Sequence, residues 1–219
     1  VIATSPYLVG LYLSKYDERN RVVEKHTPNA GWSYMIYNRL GQMVMSQNSR
    51  IRANNQWEFV KYDAFGRTAT TGVLVNNSSR ATLQTAFDNY TQEKQYEEQD
   101  NSGVEGYTNR SFPFLVNAAE IMTVNYYDDY SWKAPTDLSF VAYKGTRYPN
   151  AKGLLTGNKV RRLDTQAWLR SAMYYDDKNR LIQSQSENRF GQVNQTDMVF
   201  DFIGQLLEER TIYRKPSTT

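Results

Sequence analysis

The chain has 219 residues, with 26 Lys and Arg against 23 Asp and Glu, one histidine and no cysteine. That length supports one large domain or two small ones, 40% hydrophobic residues suffice for a core, and 17 Tyr with 9 Phe favour strand-rich packing over helical bundles. Near-balanced charge without a Lys/Arg block argues against nucleic-acid binding, the lack of cysteine excludes disulfides and thiolate sites, and no apolar run reaches the length of a membrane helix.

In chain order, Val1–Gly10 shows no basic region leading into a long apolar stretch, so no signal peptide is predicted. The first residue is not Met and the chain stops at Pro216–Thr219 just after patterned sequence, so a segment of a longer protein is expected. From Tyr16 a short pattern recurs: an aromatic residue, Asp or Asn, two variable residues, Gly or Asn, Arg or Gln, and usually an apolar residue. Its five copies are Tyr16, Asp17, Asn20, Arg21 and Val22; Tyr37, Asn38, Gly41, Gln42 and Met43; Tyr62, Asp63, Gly66, Arg67 and Thr68; Tyr175, Asp176, Asn179, Arg180 and Leu181; and Phe200, Asp201, Gly204, Gln205 and Leu206.

Each Asp or Asn can close an Asx turn, and the Gly or Asn three residues later tolerates the left-handed conformation that ends it. Apolar residues flank each turn, as in Met35–Tyr37 and Met43–Met45, so each copy predicts strand, tight turn, strand. Asn38 occurs with Gln42 where other copies have Asp with Arg, so the two side chains are expected to meet across the turn; Asp201 with Gln205 departs from this pairing. The copies recur at roughly 20–25 residues, the period of a stacked supersecondary unit. Trp32, Trp57 and Trp168 precede repeat aromatics and are predicted to pack between hairpins.

Residues 76–122 lose the alternation. Leu83, Ala86, Phe87 and Tyr90 at helical spacing predict a helix from about Thr82 to Gln95, followed by an acidic, turn-rich stretch, Glu97–Gly103, read as a solvated mobile loop. Gly106, Tyr107, Asn109, Arg110, Phe112, Pro113 and Phe114 are then expected to cover an apolar sheet face. Tyr126–Asp129, with Ser131 and Trp132, reads as a degenerate sixth copy, and Pro135, Gly145, Pro149 and Gly153 punctuate the return to the second hairpin block. The organisation is thus 1–75 a hairpin block, 76–122 a helix and loop insertion, and 123–219 a degenerate repeat followed by a second hairpin block. The fold class is mainly β: consecutive antiparallel hairpin repeats forming a curved or spiral sheet, with one helix-containing insertion.

Chemistry is sparse. His26, the sole histidine, sits in a hydrophilic strand end and is read as a surface residue. No serine stands in a nucleophile elbow or a Ser-x-x-Lys arrangement. The pairs Asp128–Asp129 and Asp176–Asp177 point to opposite sides of the backbone, and their first members are assigned to turn closure. No loop has the spacing of a dedicated calcium site, and no glycine loop cradles phosphate. No catalytic residue, metal site or cofactor is predicted.

The Tyr-Asp-x-x-Gly-Arg signature, cleanest at Tyr62–Arg67, resembles the YD-repeat or rearrangement-hotspot family over roughly residues 11–75 and 123–213. Gly106–Arg110 with Tyr126–Asp129 is similar to a large surface version from Bacteroidetes-type bacteria. The resemblance implies very large exported proteins, at the cell surface or extracellular, whose hairpin strips form a shell around a toxin or present a variable tip. Self-processing members carry an Asp-Pro-x-Gly type motif; no Asp-Pro pair occurs here, so autoproteolysis is not implied.

Two functions are weighed. The first is a non-enzymatic structural or interaction segment, whose partners are the remainder of its parent protein and copies of itself through open sheet edges. The second is a carbohydrate-binding module for a surface glycan, with Tyr107, Tyr130 and Trp132 as exposed ring platforms.

Overall fold

The structure is a computed structural model and describes residues 10–91, 94–114, 116–132 and 138–213. It is mainly β. One compact unit comprises the described residues up to Glu98 together with Thr108–Ile121, and a second comprises Gln99–Tyr107 together with the described residues from Met122 onward. The segment 76–122 is thereby shared between the two units.

In the first unit, β1 (Leu13–Tyr16), β2 (Val22–Thr27), β3 (Gly31–Tyr37), β4 (Met43–Gln47), β5 (Gln56–Tyr62) and β6 (Thr68–Val75) each pair antiparallel with the next. A short helix, α1 (Ser49–Arg52), links β4 to β5 and is capped by the Asn48 side chain. A longer helix, α2 (Arg80–Asp88), follows β6. The second unit opens with β7 (Gln99–Val104), and β8 (Ile121–Asp128), β9 (Ala151–Arg161), β10 (Trp168–Tyr175), β11 (Leu181–Glu187), β12 (Val193–Phe200) and β13 (Leu206–Ile212) again pair in sequence order.

Alternation decides which face is buried. In β5, Trp57, Phe59 and Lys61 point inward while Glu58 is exposed. Phe59 lies opposite Gly72 of β6, where an added Cβ would stand 2.6 Å from the Phe59 ring and 2.0 Å from the Glu120 carbonyl. Glycine is what lets the ring and a covering backbone close over the strand. Helix α2 turns Leu83 and Phe87 inward, and Leu83, Phe112 and Val116 share a cleft of about 370 Å³ with Met45 and Leu74 of the sheet. Phe112, Pro113, Phe114 and Val116 thus lie against apolar sheet, with Phe112 edge-on to Phe87 and Phe114 stacked on Tyr90.

Several expectations need correction. The helix begins and ends earlier than Thr82–Gln95: the Ser79 hydroxyl accepts from Thr82 N at 3.1 Å, and Asn89 closes the C-terminus. Beyond it Tyr90 stacks on Phe114 and donates its hydroxyl proton to the Arg110 carbonyl. Gln92 and Glu93, and the connecting Pro135, lie outside the described residues. The acidic stretch is no solvated loop, since Glu97 is 1% exposed and Gln99–Val104 is strand. His26 is buried rather than superficial, its ring 5.2 Å from that of Trp32 and its Nδ1 3.0 Å from the Leu11 carbonyl. Trp57 is core, whereas Trp32 and Trp168 are half-buried.

Candidate functional site

The repeat turns share one geometry. Asp17, Asn38, Asp63, Asp176 and Asp201 each donate their backbone N–H to the carbonyl of the Arg or Gln four residues on, and each carbonyl accepts from the residue at the left-handed position. Those positions are Asn20, Gly41, Gly66, Asn179 and Gly204, all at positive φ. Every strand register slips at the repeat aromatic, at Tyr16, Tyr37, Tyr62, Tyr175 and Phe200. A type I turn followed by a left-handed residue and a bulge accounts for both features. The side-chain Oδ1 of the Asp or Asn accepts from two further backbone N–H groups in each turn, as at Phe65 and Arg67 around Asp63.

The remaining signature residues join one turn to the next. The Arg21 Nε donates to Asp17 Oδ2 at 2.7 Å, its Nη1 to the Asn38 carbonyl at 3.0 Å, and its guanidinium lies 4.7 Å from the Tyr37 ring centroid. Arg180 repeats this on Asp176 at 2.6 Å, the Asp201 carbonyl at 2.7 Å and the Phe200 ring at 5.1 Å. Tyr37 and Tyr62 donate their hydroxyl protons back to the Val22 and Met43 carbonyls, each at 2.9 Å. Asn38 Nδ2 donates to Gln42 Oε1 at 2.6 Å, the neutral version of the pair. Burial raises the Asp17 and Asp176 carboxyls, but backbone donors and the Arg21 or Arg180 guanidinium outweigh it and hold both below their ordinary range. Arg180→Ala, which breaks an ion pair and an inter-turn bond together, is expected to cost about 1.5–3 kcal/mol in a denaturant titration, and Arg180→Lys restores little of it because the planar fork is lost.

One further turn of this kind escaped the sequence pattern. Asn188 N donates to the Gln192 carbonyl at 2.8 Å, Gly191 has φ +77°, and Asn188 Oδ1 accepts from Phe190 and Gln192. Glu187 replaces the aromatic and grips the Arg170 guanidinium at 2.5 and 3.0 Å. The Asn-x-x-Gly-Gln-Val run was legible without the aromatic. The Tyr126–Asp129 stretch is bonded differently from the regular copies: Asp128 Oδ1 accepts from Gly153 N at 2.7 Å, and Asp129 Oδ1 accepts from Ser131 N at 2.9 Å.

The proposed ring platforms are not exposed. Tyr107 is 2% exposed and stacks on Tyr126 at 5.9 Å; Trp132 also stacks on Tyr126, at 4.6 Å, with its indole N–H donated to Thr156 Oγ1. Tyr130 is half-buried against Tyr174 at 5.0 Å, and burial pushes its phenol up to about 12. Each of the three rings thus has a face packed against a neighbouring ring.

Where the sequence suggested a loop, the first unit instead holds a buried polar cluster. Lys61 Nζ lies 3.2 Å from Glu97 Oε1, 2.6 Å from Asn109 Oδ1 and 3.1 Å from the Ser111 carbonyl. Glu97 Oε1 also accepts from Ser111 N at 3.0 Å and Ser111 Oγ at 2.6 Å, and its Oε2 from Thr108 Oγ1 at 2.7 Å and Arg110 N at 3.2 Å. Lys61 is 3% exposed. Among the described residues no group of three or more His, Cys, Asp or Glu is arranged to hold a metal. The second unit has its own buried network, in which Gln183 and Gln195 amides donate to Asp197 and Arg210 pairs with the same carboxylate at 2.6 Å.

No family model matches the chain, and no curated protein matches it. Among solved structures it is similar to the crystal structure of TcdB2-TccC3, at 14% identity over 91% of this chain and 10% of that chain, with a TM-score of 0.47. It is also similar to the crystal structure of TcdB2-TccC3-TEV, at 12% identity over 91% of this chain and 12% of that chain, with a TM-score of 0.25. The chain therefore spans about a tenth of the length of the solved chains it matches.

Proposed function

We propose that this chain is a non-enzymatic structural and interaction segment of a large exported YD-repeat protein, its hairpins forming part of a shell or surface scaffold. The observation that carries the reading is the turn-to-turn ladder. The Asp, Arg and Tyr of the signature are engaged in closing one turn and tying it to its neighbour, so the most regular residues of the chain serve cohesion. Its partners are the neighbouring repeats of the parent protein. The last strand suits that role: β13 leaves Leu206, Leu207 and Ile212 exposed, and the turn tips present Leu40, Phe65, Phe202 and Ile203 to solvent. Exposed apolar strand edges seek another strand.

Light-scattering mass over a concentration series, with and without a glycan library, tests the proposal. Concentration-dependent self-association that Leu207→Lys suppresses, with no glycan response, is the expected result. A monomer at every concentration that binds one glycan saturably overturns it in favour of a carbohydrate-binding module.

A further inference from the structure

The cluster around Lys61 holds more than an ion pair. A primary amine, a carboxamide and a carboxylate meet in one place, and the amine and carboxylate are both nearly free of solvent contact. The orientation of the amide is fixed, because Asn109 Nδ2 donates to the Val116 carbonyl at 2.7 Å while Oδ1 faces Lys61 Nζ at 2.6 Å. The amine is thus held against the carbonyl oxygen of the carboxamide that it would have to attack. Glu97 touches the same nitrogen at 3.2 Å and keeps four other donors, so its carboxylate stays hydrogen-bonded whatever becomes of the lysine.

We propose that Lys61 and Asn109 join through an intramolecular isopeptide bond that the fold itself forms, with Glu97 as the group that moves the proton. Glu97 takes a proton from the Lys61 ammonium, which leaves a neutral amine with a free electron pair. That pair attacks Asn109 Cγ, and the carbonyl electrons move to Oδ1. In the tetrahedral intermediate Glu97 returns the proton to Nδ2, the Cγ–Nδ2 bond breaks as the carbonyl re-forms, and nitrogen leaves as ammonia, taking up the surplus proton of the new linkage as ammonium. One amide is exchanged for another, Glu97 ends as the carboxylate it began as, and no oxidant, reductant or cofactor is consumed. Burial lowers the pKa of Lys61, partly offset by Glu97, which favours the neutral amine, while the Lys61 charge and the Ser111 and Thr108 donors that hold the Glu97 carboxyl low work against the transfer and make the bond slow to form. Asn109 is only half-buried, so ammonia has a way out. The product ties β5 covalently to the segment that covers it. This chemistry stands independently of the scaffold reading.

Intact mass and peptide mapping of the folded chain decide the matter. The expected result is a mass lower by one ammonia than the sequence requires, with Lys61 and Asn109 recovered in a single branched peptide. Glu97→Gln is expected to give the full sequence mass and two linear peptides. Cyclisation of Asn109 onto its own backbone also releases ammonia but leaves Lys61 in a linear peptide; that outcome overturns the proposal, as does an unchanged mass after prolonged incubation of cooperatively folded protein. A branched peptide in both chains retains the bond and overturns the role of Glu97. If Glu97→Gln does not fold, the branched peptide still decides the bond, and slower ammonia loss in Glu97→Asp tests the proton carrier.

Discussion

Measured against the chain before Lys61 and Asn109 have joined, Glu97→Ala lowers the unfolding free energy by about 3–5 kcal/mol, the range expected when one member of a buried ion pair is removed and the other stays behind. The cost is asymmetric across the pair. Without Glu97, the Lys61 ammonium keeps only the Asn109 and Ser111 oxygens, while Ser111 N, Ser111 Oγ, Thr108 Oγ1 and Arg110 N lose their acceptor. Without Lys61, Glu97 still accepts from those four donors. Lys61→Met is therefore expected to cost less than Glu97→Ala in denaturant titrations. The reverse order would show that the lysine, rather than the carboxylate, organises the cluster.

The same geometry sets a pH dependence. Burial raises the Glu97 carboxyl, but the Lys61 charge and the Ser111 and Thr108 donors outweigh it and hold it below its ordinary 4.5. The unfolded chain then binds protons first on acidification, so the stability contributed by Glu97 is full above that ordinary value and is lost as pH falls through the lower folded one. The Asp17 and Asp176 turn carboxyls slope the same way below 3.8. In the chain before Lys61 joins Asn109, the lysine is displaced below its ordinary 10.5, so it too binds more protons unfolded than folded, and its effect on stability rises with pH in that alkaline window; once the bond has formed this contribution disappears. The denaturant midpoint should fall on the acid side, and in Glu97→Ala that fall should be shallower.

What could be read from sequence was whatever is local. An Asx residue, a left-handed position three residues later and a pairing partner at four all lie within one turn, and the same few atoms define them in the structure. Asn188 was missed only because Glu187 replaced the aromatic as an anchor. The Lys61 cluster was invisible for the opposite reason: its members come from β5, from the residues before β7 and from the stretch just before Phe112. Nothing local to Glu97–Glu98 distinguishes a carboxylate destined for burial from a solvated one, and in fact Glu98 is exposed beside Lys94 and Arg110. His26 and Trp132 were misplaced likewise, since the partner that buries each lies elsewhere in the chain.

Trp132 supplies the second large effect, and it separates a structural ring from a binding one. Its indole lies flat on Tyr126, within 6° of parallel, and covers Gly157 of β9 so closely that an added Cβ would come within 1.9 Å of the ring. Gly157 is paired with Tyr126 on one side and Ala172 on the other, so the glycine makes a slot in the sheet that the tryptophan fills. Trp132→Ala is expected to cost about 3 kcal/mol by removing that packing. Gly157→Ala should cost a comparable amount, about 1–3 kcal/mol, because the methyl displaces the ring. The two losses should not add: once the indole is gone, the alanine methyl has room and covers part of the exposed strand, so the double variant should be more stable than the sum predicts. A sugar platform behaves otherwise. Trp132→Ala would then abolish glycan binding at little cost in stability, and Gly157→Ala would add its own loss independently, so thermal unfolding of the three variants distinguishes a ring that holds the sheet together from one that reads a ligand.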